Sequence, residues 1–464
     1  MPFVGRSKEL GHLRSLLDRR EPQLVRVTGI RGGGKSALLR RVAADYRGGV
    51  HACPPLPDPV QRRMLLERLH SWSAEGSPPP TGVSGWAEIG ERLVGAASSE
   101  GRPFVLVLDD AHRLDEARAR HLEALVGALA RAAEQGSTLH LVLVGPEGSL
   151  AEVDNERATV PTTHLSIGPL PLRAVAELLP GHTAASKVRA YGVFGGLPSV
   201  VGHLDRSVTV GTNVRRLLMS PNGPLADVGS LWLERDVQAP SRYYAVMHTL
   251  AAGEADWATV HAGVPDLTRS GQVAPYLKRL VELGLIAARR SIDAPPRSRS
   301  TRYAITDPFF AFWFRFVFLR RLARPSGNEL GDYYARMIRP RVDDHLESVF
   351  PLVCRQHMTF DAIETFGANA REGGSLWGAG YDLPVAGILS SGAAYYGTCR
   401  WSGADEGADP LTAIERSMRE TRYGFGRERR LRVVFTGRRA PRELRREVAR
   451  RHDAQLIDVE ALVG

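Results

Sequence analysis

The sequence predicts an α/β fold whose N-terminal third is a parallel β-sheet. Three observations lead there. Apolar runs alternate with helical stretches from Leu24 to about Leu170, the order of a βαβ sheet. One run, Phe104-Val105-Leu106-Val107-Leu108, is apolar at every position, as a strand covered on both faces requires. A glycine-rich turn separates the first strand from the helix that follows it.

Taken in order, Leu24–Thr28, Phe104–Leu108 and Leu139–Val144 read as strands. Ser73 to Gly82, rich in proline and glycine, reads as a loop. Pro171 to about Leu233 is mostly helical. Arg242 to Tyr303 reads as three helices and a basic hairpin, and an aromatic-rich helical connector runs from Asp307 to about Met358. The remainder returns to mixed α/β, and no internal repeat is visible. The expected division is a core at 1–170, a helical lid at 171–235, a small helical module at 236–306, a connector at 307–350 and a basic domain at 351–464.

Composition limits the function classes. Across 464 residues, 43% are hydrophobic and 24% charged, which excludes a disordered, fibrous or collagen-like chain. The three cysteines, Cys53, Cys354 and Cys399, show no C-x-x-C spacing, so neither a disulfide scaffold nor a thiolate zinc site is expected. The first ten residues lack the apolar core of a signal peptide. The most apolar run, Phe309 to Leu319, is too short to span a bilayer and contains Arg315. The expectation is a soluble cytoplasmic protein without a membrane partner.

Charge is unevenly placed. Only Lys8, Lys35, Lys187 and Lys278 are lysines among 61 basic residues, and the net charge is +10. Biased codon usage accounts for a general exchange of lysine for arginine. Between Arg416 and Arg451, however, fourteen arginines face four glutamates, a surplus equal to that of the whole chain. Such a block suits an anionic partner, nucleic acid first, with Arg438, Arg439, Arg442, Arg445 and Arg446 as the candidate contacts. The alternatives are a solvated helical face or an acidic protein.

Gly29-Ile30-Arg31-Gly32-Gly33-Gly34-Lys35-Ser36 fits G-x-x-x-x-G-K-[ST], and Ala37 continues into a helix. Glycines let backbone N–H groups converge on phosphate oxygens at a helix N-terminus, where the dipole favours anions. Lys35 is placed to reach the β- and γ-phosphates of ATP, and the Ser36 hydroxyl to bind Mg²⁺. A compact ammonium survives here in a chain that otherwise prefers arginine. The second half of the site is the strand ending in Asp109-Asp110. Asp109 is expected to hold Mg²⁺, and Asp110 to polarise the attacking water. Aspartate is shorter than the glutamate common at that position, which points to slow turnover.

Phe3-Val4-Gly5-Arg6 ahead of this loop, followed by the stretch from Leu106 to Asp115, resembles the AAA-related STAND ATPases, switch proteins that close over ATP. The resemblance implies a nucleotide contact for Arg6. It also makes Gly195-Gly196-Leu197-Pro198 a lid motif whose proline, Pro198, lies near the nucleotide. One subgroup is matched more closely: archaeal-type ATPases with a winged helix and a nuclease-like C-terminal domain. Their Y-x-x-x-D-P-F and F-W signature is echoed by Tyr303 to Phe309 and by Phe312-Trp313. The strand after Asp110 runs into Gly145-Pro146-Glu147-Gly148-Ser149, where Ser149 is the one γ-phosphate sensor that suggests itself.

In the module expected to be a winged helix, Tyr243–Ala251 and Asp256–Ala262 read as the first helices. Gln272 to Leu283, ending at Gly284, reads as the recognition helix, presenting Gln272, Lys278 and Arg279. The segment Ala287 to Tyr303 carries five arginines, Arg297 and Arg299 among them, as a wing against a phosphate backbone would. A protein-docking lid is the alternative.

For the C-terminal domain the resemblance implies a restriction-endonuclease-like fold with a D-x(n)-E-x-K site. The helical acid is then Glu347 and the strand aspartate Asp382, but Thr398 stands where the glutamate belongs and Arg400 where the lysine belongs. Threonine supplies no charge to a metal, so a degenerate domain used for binding is expected. The whole reads as an ATP-dependent switch acting on nucleic acid. The alternatives are a nucleotide-dependent scaffold or protein-binding regulator with negligible turnover, and an ATP-dependent nuclease. A protein partner is compatible with each, and the sequence leaves self-association open.

Overall fold

The structure, a computed structural model, describes residues 3–72, 85–98, 102–114, 118–150, 160–295, 297–298, 300–322, 332–402 and 409–464. The expected loop at Ser73 to Gly82 and Arg299 lie outside the described residues. Two compact units are present, one made of 6–169 with 282–284, the other of 1–5, 170–281 and 285–464.

In the first unit the chain runs α1 (Ser7–Leu17), β1 (Gln23–Thr28), α2 (Lys35–Ala43), β2 (Arg47–Ala52), α3 (Asp58–Trp72), α4 (Trp86–Ala97), β3 (Phe104–Asp109), α5 (Arg118–Glu134), β4 (Leu139–Val144) and β5 (Thr162–Ser166). The strands form a parallel sheet in the order β2-β3-β4-β1-β5. The fully apolar β3 is explained by its alternation. Phe104, Leu106 and Leu108 enter one core with α4 and α5, while Val105 and Val107 enter another with α1 and α2. The sheet has five strands where three were expected. The two extra strands are weakly patterned: β2 contains Gly48 and Gly49, and β5 has Leu165 as its one apolar residue.

The second unit opens with helices, among them α6 (Ala184–Phe194) and a short turn at Pro198–Val201. It continues with α7 (Ser241–Leu250), β6 (Ala255–Asp256), α8 (Trp257–Ala262), α9 (Ala274–Glu282), β7 (Ile286–Arg290) and β8 (Thr301–Ile305). Strands β6, β8 and β7 pair antiparallel in that order. Next come α10 (Val342–Phe360), β9 (Ala370–Gly378), β10 (Tyr381–Leu389), β11 (Ala394–Arg400), α11 (Pro410–Glu420), β12 (Arg430–Thr436), α12 (Arg442–Ala449) and β13 (Ala454–Asp458). Their sheet runs β13-β12-β11-β10-β9, antiparallel across β9–β11 and parallel across β11–β13.

Helix α10 packs Val353, Cys354 and Met358 on one face of that sheet against Val385, Tyr395 and Phe435. Helix α11 packs Leu411, Ile414 and Met418 on the other against Ala386, Tyr396 and Val434. The boundary expected at 350/351 falls inside α10, which continues through Pro351. A proline inside a helix costs a backbone hydrogen bond, and burial of the helix on the sheet offsets that cost. Among the described residues no helix is long and apolar enough to cross a membrane.

Candidate nucleotide site and basic surfaces

At the C-terminal ends of β1, β3 and β4 the first unit gathers residues spread in sequence from Thr28 to Ser149. Such ends are where open α/β sheets hold ligands. The loop Gly29 to Ser36 leaves β1, which lies between β4 and β5, and turns into α2. Gly34 caps α2 at φ 91°, a left-handed conformation that a side chain would strain. Lys35 and Ser36 therefore begin the helix with their N–H groups facing the loop. Lys35 Nζ donates to the carbonyls of Gly29 at 2.7 Å and Ile30 at 2.9 Å. Burial pulls its pKa from 10.5 to about 8, while Asp110 and Asp109 act in the opposite direction.

Asp109 is buried at the end of β3 and has no ion pair among the described residues. Asp110 adopts φ 59°, a left-handed conformation that aspartate tolerates better than most residues. Its carboxylate sits 3.5 Å from Arg113 Nε. Arg6, expected to touch nucleotide, is buried and engaged elsewhere. Its guanidinium donates to the carbonyls of Gly33 (3.0 Å) and Gly168 and to Glu9 (2.7 Å). It braces the loop from beneath.

Ser149, the suggested sensor, is also engaged, donating to its neighbour Pro146 O at 2.8 Å. Sequence reading missed Glu147. Thr28 Oγ1, on the residue before the loop, donates to Glu147 Oε2 at 2.9 Å, and Ser166 Oγ donates to the same oxygen at 3.2 Å. His164 Nε2 lies 2.8 Å from Thr28 Oγ1. Glu147 is the one charged residue between β4 and Ser149, and that was the available signal.

In the second unit Pro198 begins its short turn, and the preceding glycines meet Asp307, discussed below. Lys278 and Arg297 are exposed. Gln272 lies in a turn before α9, and its Oε1 accepts from Arg269 N at 3.0 Å. Arg279 donates to Asp236 O at 3.2 Å. Gln272 thus serves as a cap, and Arg279 has a contact within the fold.

The arginine surplus is also smaller in space than in sequence. Arg432 and Arg451 share Glu415 and Asp453, which stand just outside the 416–451 window. Arg438 pairs with Asp343 at 2.8 Å. Arg439, Arg442 and Arg446 remain exposed, with Arg445 half-buried.

Two of the nuclease-like positions are engaged within the fold. Glu347 accepts from the amides of Trp401 (2.9 Å) and Ser402 (3.0 Å). Asp382 is held in a two-point pair by Arg302 at 3.2 and 2.9 Å. Thr398 shares a cavity with Asp382 that Glu347 does not line, and Arg400 ends β11. Among the described residues no cluster of three metal-ligating side chains exists.

Residues 2–144 match the family described as AAA ATPase domain. A Walker-type ATPase of Pyrococcus abyssi superposes with a TM-score of 0.50 at 18% identity, over 67% of this chain and 95% of that one, a likeness of fold. A STAND protein with a tetratricopeptide-repeat sensor from Pyrococcus horikoshii aligns at TM-score 0.30 and 13% identity, over 79% of this chain and 52% of that one, too loosely to argue from. An uncharacterised protein of Methanocaldococcus jannaschii is 24% identical over 204 residues. That match spans 42% of this chain and 42% of that protein's length. This chain therefore carries an AAA-type P-loop ATPase domain over residues 2–144.

Proposed function

We propose that the protein is an ATP-binding, slowly hydrolysing switch of the STAND-related, archaeal type that engages nucleic acid through its second unit. The observation that carries the reading is Lys35, drawn down to about 8 by burial within the field of Asp109 and Asp110. A buried ammonium facing two carboxylates at a helix N-terminus suits the phosphates of ATP and an accompanying divalent cation. Ser36 and Asp109 would hold Mg²⁺, since Asp109 is a buried carboxylate at the end of β3 with no ion pair within 4 Å among the described residues. When bound, Mg²⁺ would neutralise charge developing on the phosphates. Asp110 orients water, and its carboxylate also meets Arg113 Nε at 3.5 Å.

The three-helix, three-stranded module is read as a winged helix, with Lys278 and Arg297 toward phosphates. The sheet with Arg439, Arg442 and Arg446 is read as a degenerate nuclease fold that binds without cutting. Its support is that Arg302 already neutralises Asp382 and that Glu347 is committed to two backbone amides. The test is duplex-DNA binding across a salt series with and without ATP–Mg²⁺, in wild type and Lys35→Ala. ATP-dependent affinity lost in the variant supports the switch. Affinity indifferent to nucleotide would reduce the ATPase domain to a structural role.

A further inference from the structure

We infer that a cavity between β7–β8, α10 and β9–β10 is a binding site for a phosphoryl oxyanion, with the Arg355 guanidinium as its anchor. The cavity has a volume of about 180 Å³ and is lined by Arg289, Arg302, Arg355, Glu254, Ser375 and Asp382, among others. That is well above the ~10–15 Å³ that admits one water. It is also below the ~300–1,000 Å³ of sites for drug-sized ligands. The scale is that of one phosphoryl group.

Charge decides the ligand's sign. Arg289 pairs with Glu254 at 3.0 Å, and Arg302 with Asp382 at 2.9 Å, so these four groups cancel in place. Arg355 does not share in this. Its Nη1 donates to two neutral acceptors, Ser375 Oγ at 3.0 Å and Pro384 O at 2.9 Å. No carboxylate among the described residues lies within ion-pairing distance of it. A half-buried guanidinium with no carboxylate partner among the described residues is costly, and an anion in the cavity offsets that cost. Burial accordingly draws Arg355 down to about 10, Arg289 repels it further, and Glu254 opposes this only partly. A planar guanidinium with unused N–H donors matches a tetrahedral oxyanion in two-point geometry.

Two sources share this chemistry, free phosphate and the terminal phosphate of a nucleic acid. The test uses the full chain carrying Lys35→Ala, so that phosphate at the nucleotide loop does not contribute and a failure of the nucleotide reading stays separate. Inorganic phosphate should raise the melting temperature in Lys35→Ala and not in Lys35→Ala/Arg355→Gln. A 5′-phosphorylated oligonucleotide binding about tenfold more tightly than its 5′-hydroxyl twin, with the preference lost in Arg355→Gln, assigns a nucleic-acid end. Phosphate stabilisation without that preference assigns free phosphate.

A second measurement avoids substituting Arg355. Phosphate should slow phenylglyoxal modification of Arg355, read by mass spectrometry, while leaving exposed Arg439 unaffected. Equal stabilisation with and without Arg355, or no protection from modification, would overturn the site.

Discussion

The Asp307 carboxylate accepts the backbone N–H of Gly196 at 2.8 Å and that of Phe309 at 2.9 Å, and the side chain is fully buried. Two sequence motifs 111 positions apart are thereby one structural element. The Gly195-Gly196 pair is fixed by the aspartate that follows β8. Gly195, at φ 65°, must be glycine twice over, since a Cβ there would also run into the Asp307 carboxylate. The preceding β8 carries Arg302, whose pair with Asp382 reaches the C-terminal sheet. The Gly195-Gly196 turn, the small sheet and the C-terminal sheet are linked through a few adjacent residues.

Asp307→Ala should lower stability by about 2 to 6 kcal/mol, because two buried amides lose their acceptor at ~1–3 kcal/mol each. Denaturant unfolding measures it. A loss under 1 kcal/mol would mean that water replaces the carboxylate.

Burial lifts the Asp307 pKa from 3.8 to about 7, although the two amides act to lower it. The folded state therefore holds this proton where the unfolded state has released it. The corresponding stability is full below about pH 4 and declines as pH rises through 7. Asp307→Asn should remove that component of the slope between about pH 4 and 7, even where its absolute stability is lower. An unchanged slope would place the titrating group elsewhere.

Nucleotide binding should depend on pH through Lys35. Its pKa is lowered, so the free site begins to lose the ammonium near pH 8 instead of above 10. Phosphates need the charged form, so affinity should fall above pH 8, approaching tenfold per unit, as calorimetry from pH 7 to 10 would show. Flat affinity to pH 9.5 would contradict the placement of Lys35 against phosphate.

Asp110→Asn should leave ATP affinity within a few-fold of wild type and reduce phosphate release by at least about tenfold. Asparagine tolerates the left-handed conformation, so the fold should survive. Glu147→Gln should likewise spare binding and slow release, since it weakens the acceptor of the Thr28 and Ser166 hydroxyls. Wild-type release in both variants would remove these acids from the hydrolytic step.

The arginines should divide into two groups. Replacing Arg439, Arg442 and Arg446 with serine should flatten the salt dependence of DNA binding by about 0.9 in log–log slope per phosphate contact removed, with little change in stability. Arg451→Ala should do the reverse, lowering stability by about 1 kcal/mol through its partners Glu415 and Asp453 while leaving the slope intact. Identical behaviour of the two groups would show that position within the fold does not matter.

By itself the sequence determined the parallel sheet, the phosphate-type loop and the acidic end of β3. Each is written in contiguous residues, and apolar alternation, glycine spacing and strand-end carboxylates act locally. Strands β2 and β5 stayed hidden because glycine and polar residues form strands there only through pairing with better-patterned neighbours. Tertiary structure alone decided which polar groups are already engaged. Arg6 was diverted to carbonyls, Ser149 to its own turn, and Arg432 and Arg451 to acids just outside the charged block. It also placed Glu147 beside Thr28 and left Arg355 without a carboxylate partner among the described residues. Formal charge is additive along a chain, but its availability depends on which groups folding brings within about 4 Å, and sequence order does not encode that distance.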